Sequence, residues 1–170
     1  QVLRIKDQYG LTADLPTFFF VGMLGHSYDL ETLIRAARRL CVERSGQVRI
    51  IIAGDGDKAH ELKQMAAGLN NVIFTGWISE EEIWAFMQLA DVGLAAYTQD
   101  ALQSLPNKPF EYWAAGLPVL SSLPGELERL LEEEEVGCQY QAGKVDSLVR
   151  GMEWFLEHPQ ERKQMGDNAR

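Results

Sequence analysis

Residues 48–56, VRIIIAGDG, join a continuous apolar run to a tight glycine turn. An apolar run without polar alternation is typical of a strand buried on both faces, as in a parallel sheet that helices cover on both sides. Further short runs are interpreted as strands, and they lie at residues 17–22, 72–75, 91–97, 118–121 and 137–140. Together these runs indicate an α/β fold built on a parallel sheet.

The segments between the strands carry helical patterns. Asp29 can cap a helix whose apolar stripe runs to Cys41 with i, i+3, i+4, i+7 spacing, and Ser79 and Glu82 have the spacing of a capping box. Pro109 falls in the first turn of a later helix, where its missing N–H costs nothing. The remaining helices are predicted near residues 58–67, 107–115, 125–131, 145–156 and 160–168.

Alternating strands and helices with right-handed crossovers predict a Rossmann-like doubly wound sheet. We expect six parallel strands with helices on both faces. A flavodoxin-like strand order would give a similar pattern, so the order of the strands stays open at this point.

The composition predicts one globular domain over residues 1–170. Apolar residues make up 46% of the chain and charged residues 24%, which excludes a disordered or fibrous protein. Sixteen basic residues face 25 acidic ones, and the net charge of −9 argues against nucleic acid or an anionic membrane as a partner. No apolar run approaches the roughly 18 residues of a membrane span.

The cysteines indicate the redox compartment, and the first residue bears on whether the chain is part of a longer protein. Cys41 and Cys138 lack C-x-x-C spacing, which fits a reducing cytoplasm and excludes a disulfide scaffold or a cysteine zinc site. The chain begins at Gln1, with neither a start methionine nor a signal peptide. We therefore expect a domain taken from a longer protein, with its partner domain absent.

The loops at the carboxyl ends of the strands are the candidate functional segments, because ligands of such sheets bind there. These loops lie at residues 22–28, 54–57, 75–78, 97–108 and 121–125.

Residues 54–59 fit the dinucleotide pattern G-x-G-x-x-G/A, but the next strand ends in Thr75 and lacks the acid that would hold a ribose. A tight glycine turn before a helix is the favoured interpretation. Asp55 and Asp57 also have D-x-D spacing, which can hold a divalent metal. Asp57 is as easily a helix N-cap, and no metal site is predicted.

The loop after the first strand contains Gly22, Gly25 and His26. Glycines let backbone N–H groups approach a phosphate, and the helix that follows favours anions at its start. His26 is either part of such a site or a solvated loop histidine, and both readings stay open.

The most informative stretch is residues 104–119, SLPNKPFEYWAAGLPV. Lys108 stands at a helix N-terminus, where the dipole disfavours a cation unless an anion is bound nearby. Glu111 lies in the first turn, where a carboxylate is favourable for structural reasons alone. The chain has no G-x-S-x-G elbow, H-E-x-x-H motif or Walker loop, so hydrolase and P-loop functions have no support.

Residues 18–170 resemble the C-terminal, nucleotide-sugar-binding half of the GT-B glycosyltransferases of the large group 1 family. This family includes bacterial mannosyltransferases and sucrose synthases. The resemblance depends on the order and spacing of several blocks rather than on any one of them. The blocks are FFFVGMLG (18–25), DLETLIRAA (29–37), VRIIIAGDGDKAHELKQMA (48–66), NVIFTGWISEEEIWAFMQLADVGLAAY (71–97), PFEYWAAGLPVLSS (109–122) and PGELERLL (124–131).

The resemblance implies a role for several residues in binding the donor. Glu111 matches the second glutamate of the family's E-x7-E motif, which accepts hydrogen bonds from the ribose hydroxyls. Gly22 matches the glycine beside the diphosphate. The loop facing the nucleobase corresponds to Gly76, Trp77 and Ile78, and the loop over the donor sugar and diphosphate includes Ser104, Pro106 and Asn107.

The chain departs from the family pattern at three charged positions. The first glutamate of E-x7-E falls at Gln103, the diphosphate-binding arginine at Met23 and the diphosphate-binding lysine at Tyr28. A subset of the family with P-x-K-x-F-E-Y carries a lysine in the position of Lys108. We therefore predict that Lys108, its helix N-terminus and the backbone of residues 22–25 bind the diphosphate instead.

The resemblance implies a retaining, metal-independent sugar transfer from a UDP-sugar, with no cofactor and with no certain catalytic residue in this half of the enzyme. It also implies an N-terminal acceptor domain of the same protein, no direct membrane contact by this domain, and a cytoplasmic enzyme, at most peripheral to the inner membrane face. The alternative is a non-catalytic nucleotide- or protein-binding module on a degenerate glycosyltransferase fold. An NAD-dependent oxidoreductase is a third hypothesis, which rests on residues 54–59 alone.

Overall fold

A computed structural model describes residues 1–11, 14–102 and 104–170. Six strands form within these residues: β1 Thr17–Val21, β2 Arg49–Ala53, β3 Val72–Gly76, β4 Val92–Ala95, β5 Val119–Ser121 and β6 Gly137–Gln139. The helices described are α1 Val2–Gln8, α2 Leu30–Glu43, α3 Ala59–Met65, α4 Glu80–Leu89, α5 Asn107–Ala114, α6 Glu126–Glu133, α7 Val145–Glu157 and α8 Pro159–Asn168.

All six strands belong to one sheet in the order β3-β2-β1-β4-β5-β6. Every pair of neighbouring strands is parallel, which confirms the predicted Rossmann-like sheet. The order also decides between the two topologies that the sequence leaves open. Because β1 and β4 are adjacent, the chain runs outward in opposite directions from them, and a crevice opens outside their carboxyl ends.

Side chains of the central strands alternate between two apolar cores, one on each face of the sheet. Phe18 and Phe20 of β1 pack in the core beneath α2, α3 and α7. Phe19 points to the opposite face and packs in the core beneath α1, α4, α5 and α6. All three phenylalanines are at most 1% exposed. Both faces are therefore covered, as the unbroken apolar runs indicate.

The predicted helix starts are confirmed at α2 and α4. The Asp29 side chain accepts a hydrogen bond from the Thr32 N–H at 3.2 Å. Ser79 accepts from the Glu82 N–H at 3.3 Å, and the Glu82 carboxylate accepts from the Ser79 N–H at 2.9 Å. This reciprocal capping box fixes the first turn of α4 beside the loop that follows β3.

Two elements differ from the sequence-based expectation. Helix α1 is not predicted, because only Ile5 of its seven residues is buried and so short a segment shows no periodicity. Strand β4 ends at Ala95, its last partner on β5 being Ser121. Beyond that point Ala96 and Tyr97 pair with the loop after β1 instead. Of the helices described, none has the length and apolar character needed to cross a membrane.

Candidate functional site at the carboxyl edge of the sheet

The crevice between β1 and β4 is bridged by two tyrosines. Tyr28 and Tyr97 form an isolated antiparallel bridge, and their ring centroids lie 5.1 Å apart. Burial is the main cause that raises the pKa of the Tyr97 phenol, so this hydroxyl stays neutral at physiological pH. Tyr28 gives this part of the edge an uncharged aromatic surface.

A third tyrosine fixes helix α5 against the crevice. The hydroxyl of Tyr112 accepts a hydrogen bond from the Val21 N–H and donates one to the Leu94 carbonyl, each at 3.2 Å. It therefore ties α5 to β1 and β4 together. Gly93 makes room for the ring, since a Cβ at this position would lie 2.4 Å from the Tyr112 Cγ. The start of α5 is consequently held in one place beside the crevice.

Lys108 and Glu111 form an ion pair at the start of α5. The Lys108 ammonium lies 2.8 Å from the Glu111 carboxylate, and the two side chains are 22% and 44% exposed. The cation that the helix dipole disfavours is thus neutralised from within the helix, and a bound anion is not needed to explain it. Both side chains remain close enough to solvent to exchange partners.

The loop after β1 is held by the glycine turn after β2. Gly22 donates to the Ala53 carbonyl at 3.0 Å, and Leu24 donates to the Asp55 carbonyl at 2.9 Å. A Cβ on Gly54 would lie 1.9 Å from the Gly22 oxygen, and its φ of +131° is open to glycine alone. The glycines of residues 54–56 therefore allow the backbone of this turn to pack directly against the backbone of the loop after β1.

One of the two sequence interpretations of the acidic residues in that turn, the helix N-cap, is wrong. The N-cap of α3 is Lys58 without a side-chain cap, so Asp57 is not the N-cap. Within residues 1–11, 14–102 and 104–170, no group of three or more histidine, cysteine or acidic side chains could hold a metal ion.

A second lysine at this edge is also paired. Lys58 lies 2.8 Å from the carboxylate of Glu31, in the first turn of α2. The hydrogen bond from Lys58 is the main cause that lowers the pKa of Glu31. Sequence reasoning misses this pair because its members are 27 residues apart, and only the packing of α2 beside α3 brings them together.

The remaining predicted residues lie in exposed loops around the crevice. Trp77 is 79% exposed, whereas its neighbour Ile78 is only 7% exposed and packs in the core. His26 lines a surface groove of about 400 Å³ with residues of the loop after β4, including Thr98 and Asp100. Gly25 borders the exposed Met23 side chain.

In the loop leading to α5, Ser104 and Asn107 are exposed and Pro106 is the N-cap. Gln103 lies outside the described residues. The structure thus brings the predicted residues that it describes to one edge of the sheet. Because Ile78 packs in the core, Trp77 is the side chain of its loop that is open to a ligand.

Comparisons with known proteins agree with this architecture. The family model for glycosyl transferases group 1 matches residues 2–170. The uncharacterized glycosyltransferase MJ1607 of Methanocaldococcus jannaschii is 27% identical over 173 residues, covering 99% of this chain and 43% of that protein. The D-rhamnosyltransferase WbpZ of Pseudomonas aeruginosa is 29% identical over 163 residues, covering 91% of this chain and 40% of that protein. The chain thus spans less than half the length of these relatives.

Two solved structures share the fold. Alr3699/HepE of Anabaena, crystallised with UDP-glucose, superposes with a TM-score of 0.82 at 23% identity, over 99% of this chain and 46% of that one. The C-terminal domain of LpcC, a glycosyl transferase group 1 family protein of Francisella tularensis, superposes with a TM-score of 0.77 at 16% identity, over 96% of this chain and 88% of that one. By fold and by sequence, this chain belongs to the glycosyl transferases group 1 family.

Proposed function

We propose that this chain is the nucleotide-sugar-binding domain of a retaining glycosyltransferase, and that its donor is a UDP-sugar. The observation that carries the proposal is the start of α5, where Lys108 and Glu111 stand beside the crevice between β1 and β4. A cation, a carboxylate and a helix N-terminus at one point match the two polar parts of a nucleoside diphosphate. The UDP-glucose held by the similar HepE structure supports the choice of nucleotide.

In this proposal the Lys108–Glu111 pair separates when the donor binds. Glu111 accepts hydrogen bonds from the ribose hydroxyls, because a carboxylate offers lone pairs to two neighbouring donors. Lys108 moves to the diphosphate, which the N-terminus of α5 also favours. Lys108 exchanges the Glu111 carboxylate for the diphosphate, and Glu111 exchanges the Lys108 ammonium for the ribose hydroxyls. Neither charged group is therefore left without a partner.

The other groups at the edge bind the donor without contributing charge. The exposed ring of Trp77 is available to the nucleobase, and the backbone of residues 22–25 lies beside the diphosphate. Met23 and Tyr28 carry no charge, and Lys58 is already paired with Glu31. Lys108 and the helix N-terminus therefore provide most of the stabilisation that this half offers to the leaving diphosphate.

Hexosyl transfer requires a second domain that holds the acceptor, and the cleft between the two domains is where the reaction takes place. We place the full-length enzyme in the cytoplasm, in the synthesis of a polysaccharide or glycoconjugate and with no metal requirement. The relatives that are about twice as long as this chain support the two-domain arrangement. The free thiols of Cys41 and Cys138 support a reducing compartment.

The test is calorimetric titration of the chain with UDP, UDP-glucose and NAD, repeated for Glu111→Gln. We expect binding of both uridine ligands and not of NAD. The variant should lose about 1.5–3 kcal/mol of UDP binding, the range for a hydrogen bond to a charged group, which is roughly a 10- to 150-fold loss of affinity. Glu126→Gln, an exposed first-turn glutamate of α6, is the matched control and should bind as the wild type does.

Three results would contradict the proposal. A large drop in melting temperature with unchanged UDP affinity would make Glu111 a structural residue. Binding of NAD alone would favour the oxidoreductase. Binding of no nucleotide at all would favour a non-catalytic module, which the uncharged Met23 and Tyr28 also suggest.

A further inference from the structure

A cavity of about 490 Å³ opens on the β5–β6 side of the same carboxyl edge. This volume falls in the range of about 300–1,000 Å³ that is usual for small-molecule sites. It lies among the loops that follow β4, β5 and β6 and the first turns of α6 and α7. Of the described residues, none from the loops after β1, β2 or β3 lines it. Its lining residues are Gln99, Ser122, Pro124, Glu128, Gln139, Tyr140, Gln141, Ala142 and Ser147.

Three glutamines give this cavity its chemical character. Within the part of the chain that the structure describes, the side-chain oxygen of Gln139 is buried without a hydrogen-bond partner, and the exposed Gln99 and Gln141 line the same cavity. Each amide offers two N–H donors and an acceptor oxygen. Each hydroxyl of a neighbouring pair donates and accepts hydrogen bonds, and an amide carries a donor and an acceptor side by side. These amides therefore suit a hydroxyl-rich ligand.

A buried tyrosine beside the cavity has a hydrogen-bonding capacity that the described residues leave unused. Tyr140 is 3% exposed, and its hydroxyl has no hydrogen-bond partner among the described residues. Burial is the main cause that raises the pKa of Tyr140, and the nearby Ser122 hydroxyl opposes this rise. The Ser122 hydroxyl already donates to the Tyr97 carbonyl at 2.7 Å and accepts from the Tyr97 N–H at 2.8 Å. A ligand hydroxyl reaching Tyr140 and Gln139 would recover part of the free energy lost by burying them unpaired.

The charge of the lining excludes a phosphate as the natural occupant. Among the residues that the structure describes, no lysine or arginine lines the cavity, and Glu128 is the one charged residue of the lining. One oxygen of that carboxylate accepts from the Gly125 N–H at 3.2 Å, which leaves the other oxygen free to accept from a ligand hydroxyl. A neutral ligand with several hydroxyls satisfies these groups, whereas the diphosphate of a nucleotide would meet a carboxylate and no cation.

We propose that this cavity binds a neutral saccharide and is a subsite separate from the nucleotide site. Resting on the proposed function, we assign the saccharide to the glycan that the enzyme extends rather than to the sugar of the nucleotide donor. Gln99 belongs to the loop after β4 that also leads to Lys108 and Glu111. A saccharide held there lies along the same edge of the sheet as the donor, within reach of the cleft where transfer takes place.

The experiment measures saccharide binding by saturation-transfer NMR, with maltotriose and mannotriose as probes, for the chain alone, with UDP and with UDP-glucose. We expect at least one trisaccharide to bind in the millimolar range and to stay bound when UDP or UDP-glucose saturates the chain. Gln139→Leu and Gln141→Leu should each weaken that binding at least fivefold, with the melting temperature and UDP affinity unchanged. Gln64→Leu, on the exposed surface of α3, is the control and should have no effect.

Several outcomes would overturn the inference. Absence of binding for both trisaccharides, or equal binding by the glutamine variants and the wild type, would mean that the cavity is not a saccharide site. Loss of the trisaccharide with UDP-glucose but not with UDP would assign the cavity to the donor sugar. The proposed function is tested separately, because it depends on UDP binding and on the Glu111→Gln variant, whatever the trisaccharides do.

Discussion

At the scale of single residues, the ion pair of Lys108 and Glu111 sets the local charge at the start of α5. The two charges lie 2.8 Å apart on one helix, three residues from each other, and both are partly exposed. An exposed ion pair of this kind is worth about 0.2–1 kcal/mol. The pair is thus weak enough to open for a ligand that offers each partner something better.

Lys108→Met should have opposite effects on two ligands. Removing the ammonium leaves Glu111 free for the ribose, so uridine should bind up to about fivefold more tightly, the equivalent of the lost ion pair. UDP should bind about tenfold or more weakly, because its diphosphate loses a charged hydrogen bond. Calorimetric titrations with uridine and UDP measure both effects. The loss for UDP should shrink as salt rises, since screening already weakens the charge.

The control for this variant is Lys63→Met, in the last turn of α3, which should leave both ligands unaffected. An equal loss of affinity for uridine and UDP would show that Lys108 acts through the fold rather than through the phosphates. No change for either ligand would mean that the diphosphate is held by other groups.

Whether such pairs can be read from sequence depends on their separation. Glu111 follows Lys108 by three residues on a predicted helix, and this spacing predicts contact. The partnership of Glu31 with Lys58 depends on two helices meeting, and so does the partnership of Tyr112 with β1 and β4. The cavity lined by Gln139 and its neighbours is assembled from five separate segments of the chain. A local sequence pattern therefore does not predict it.

At the scale of elements, local chemistry predicts the helices and strands well. The observed bounds of β1, β2 and β3 fall within one residue of the predicted runs. β1 and β2 are almost wholly buried, and a strand covered on both faces is largely apolar, whereas β3 is an edge strand of intermediate exposure. The order of the strands, by contrast, cannot be predicted from local chemistry. It is set by which apolar faces meet across the whole sheet, and a single sequence carries no direct signal for it.

The capping box of α4 makes a pH-dependent contribution to stability. Hydrogen bonding to the Ser79 backbone is the main cause that lowers the pKa of Glu82. A carboxyl with a lowered folded-state pKa stabilises the fold above its usual pKa and loses this effect as pH falls through the folded-state value. Glu82→Gln should therefore melt below the wild type at pH 7, and the gap should close on acidification below about pH 4.

Thermal melts across this pH range measure the effect. Glu81→Gln, in the same first turn but outside the capping box, should show a smaller gap at pH 7. A gap for Glu82→Gln that persisted unchanged at low pH would assign its effect to packing instead of charge. Arg4, 3.4 Å from the same carboxylate, links this cap to α1 and adds to the expected gap at neutral pH.

At the scale of the whole molecule, the proposed function requires an acidic domain to bind an anionic donor. The net charge is −9, and Lys58 and Lys108, in the segments that follow β2 and β4, are both paired with glutamates. Long-range attraction therefore does little to bring a nucleotide to the site. In the proposed function, binding therefore depends on short-range contacts at the crevice. These contacts come from a helix N-terminus, from backbone N–H groups and from Lys108, which leaves Glu111 when the ribose binds.

Such a domain should bind the donor and yet transfer no sugar by itself. The chain spans 43% of the length of one relative and 46% of the HepE chain, and its site is an open edge of a sheet rather than an enclosed cleft. An open edge neither excludes water nor positions an acceptor hydroxyl against the sugar carbon, and positioning alone is worth about 7–11 kcal/mol of a barrier. We expect the 170-residue chain to bind UDP-glucose without forming any transfer product. Mass spectrometry of the chain incubated with UDP-glucose and acceptor glycans, beside the full-length protein as positive control, measures this. Sugar transfer by the isolated chain at a rate near that of the full-length protein would mean that this one domain holds both substrates.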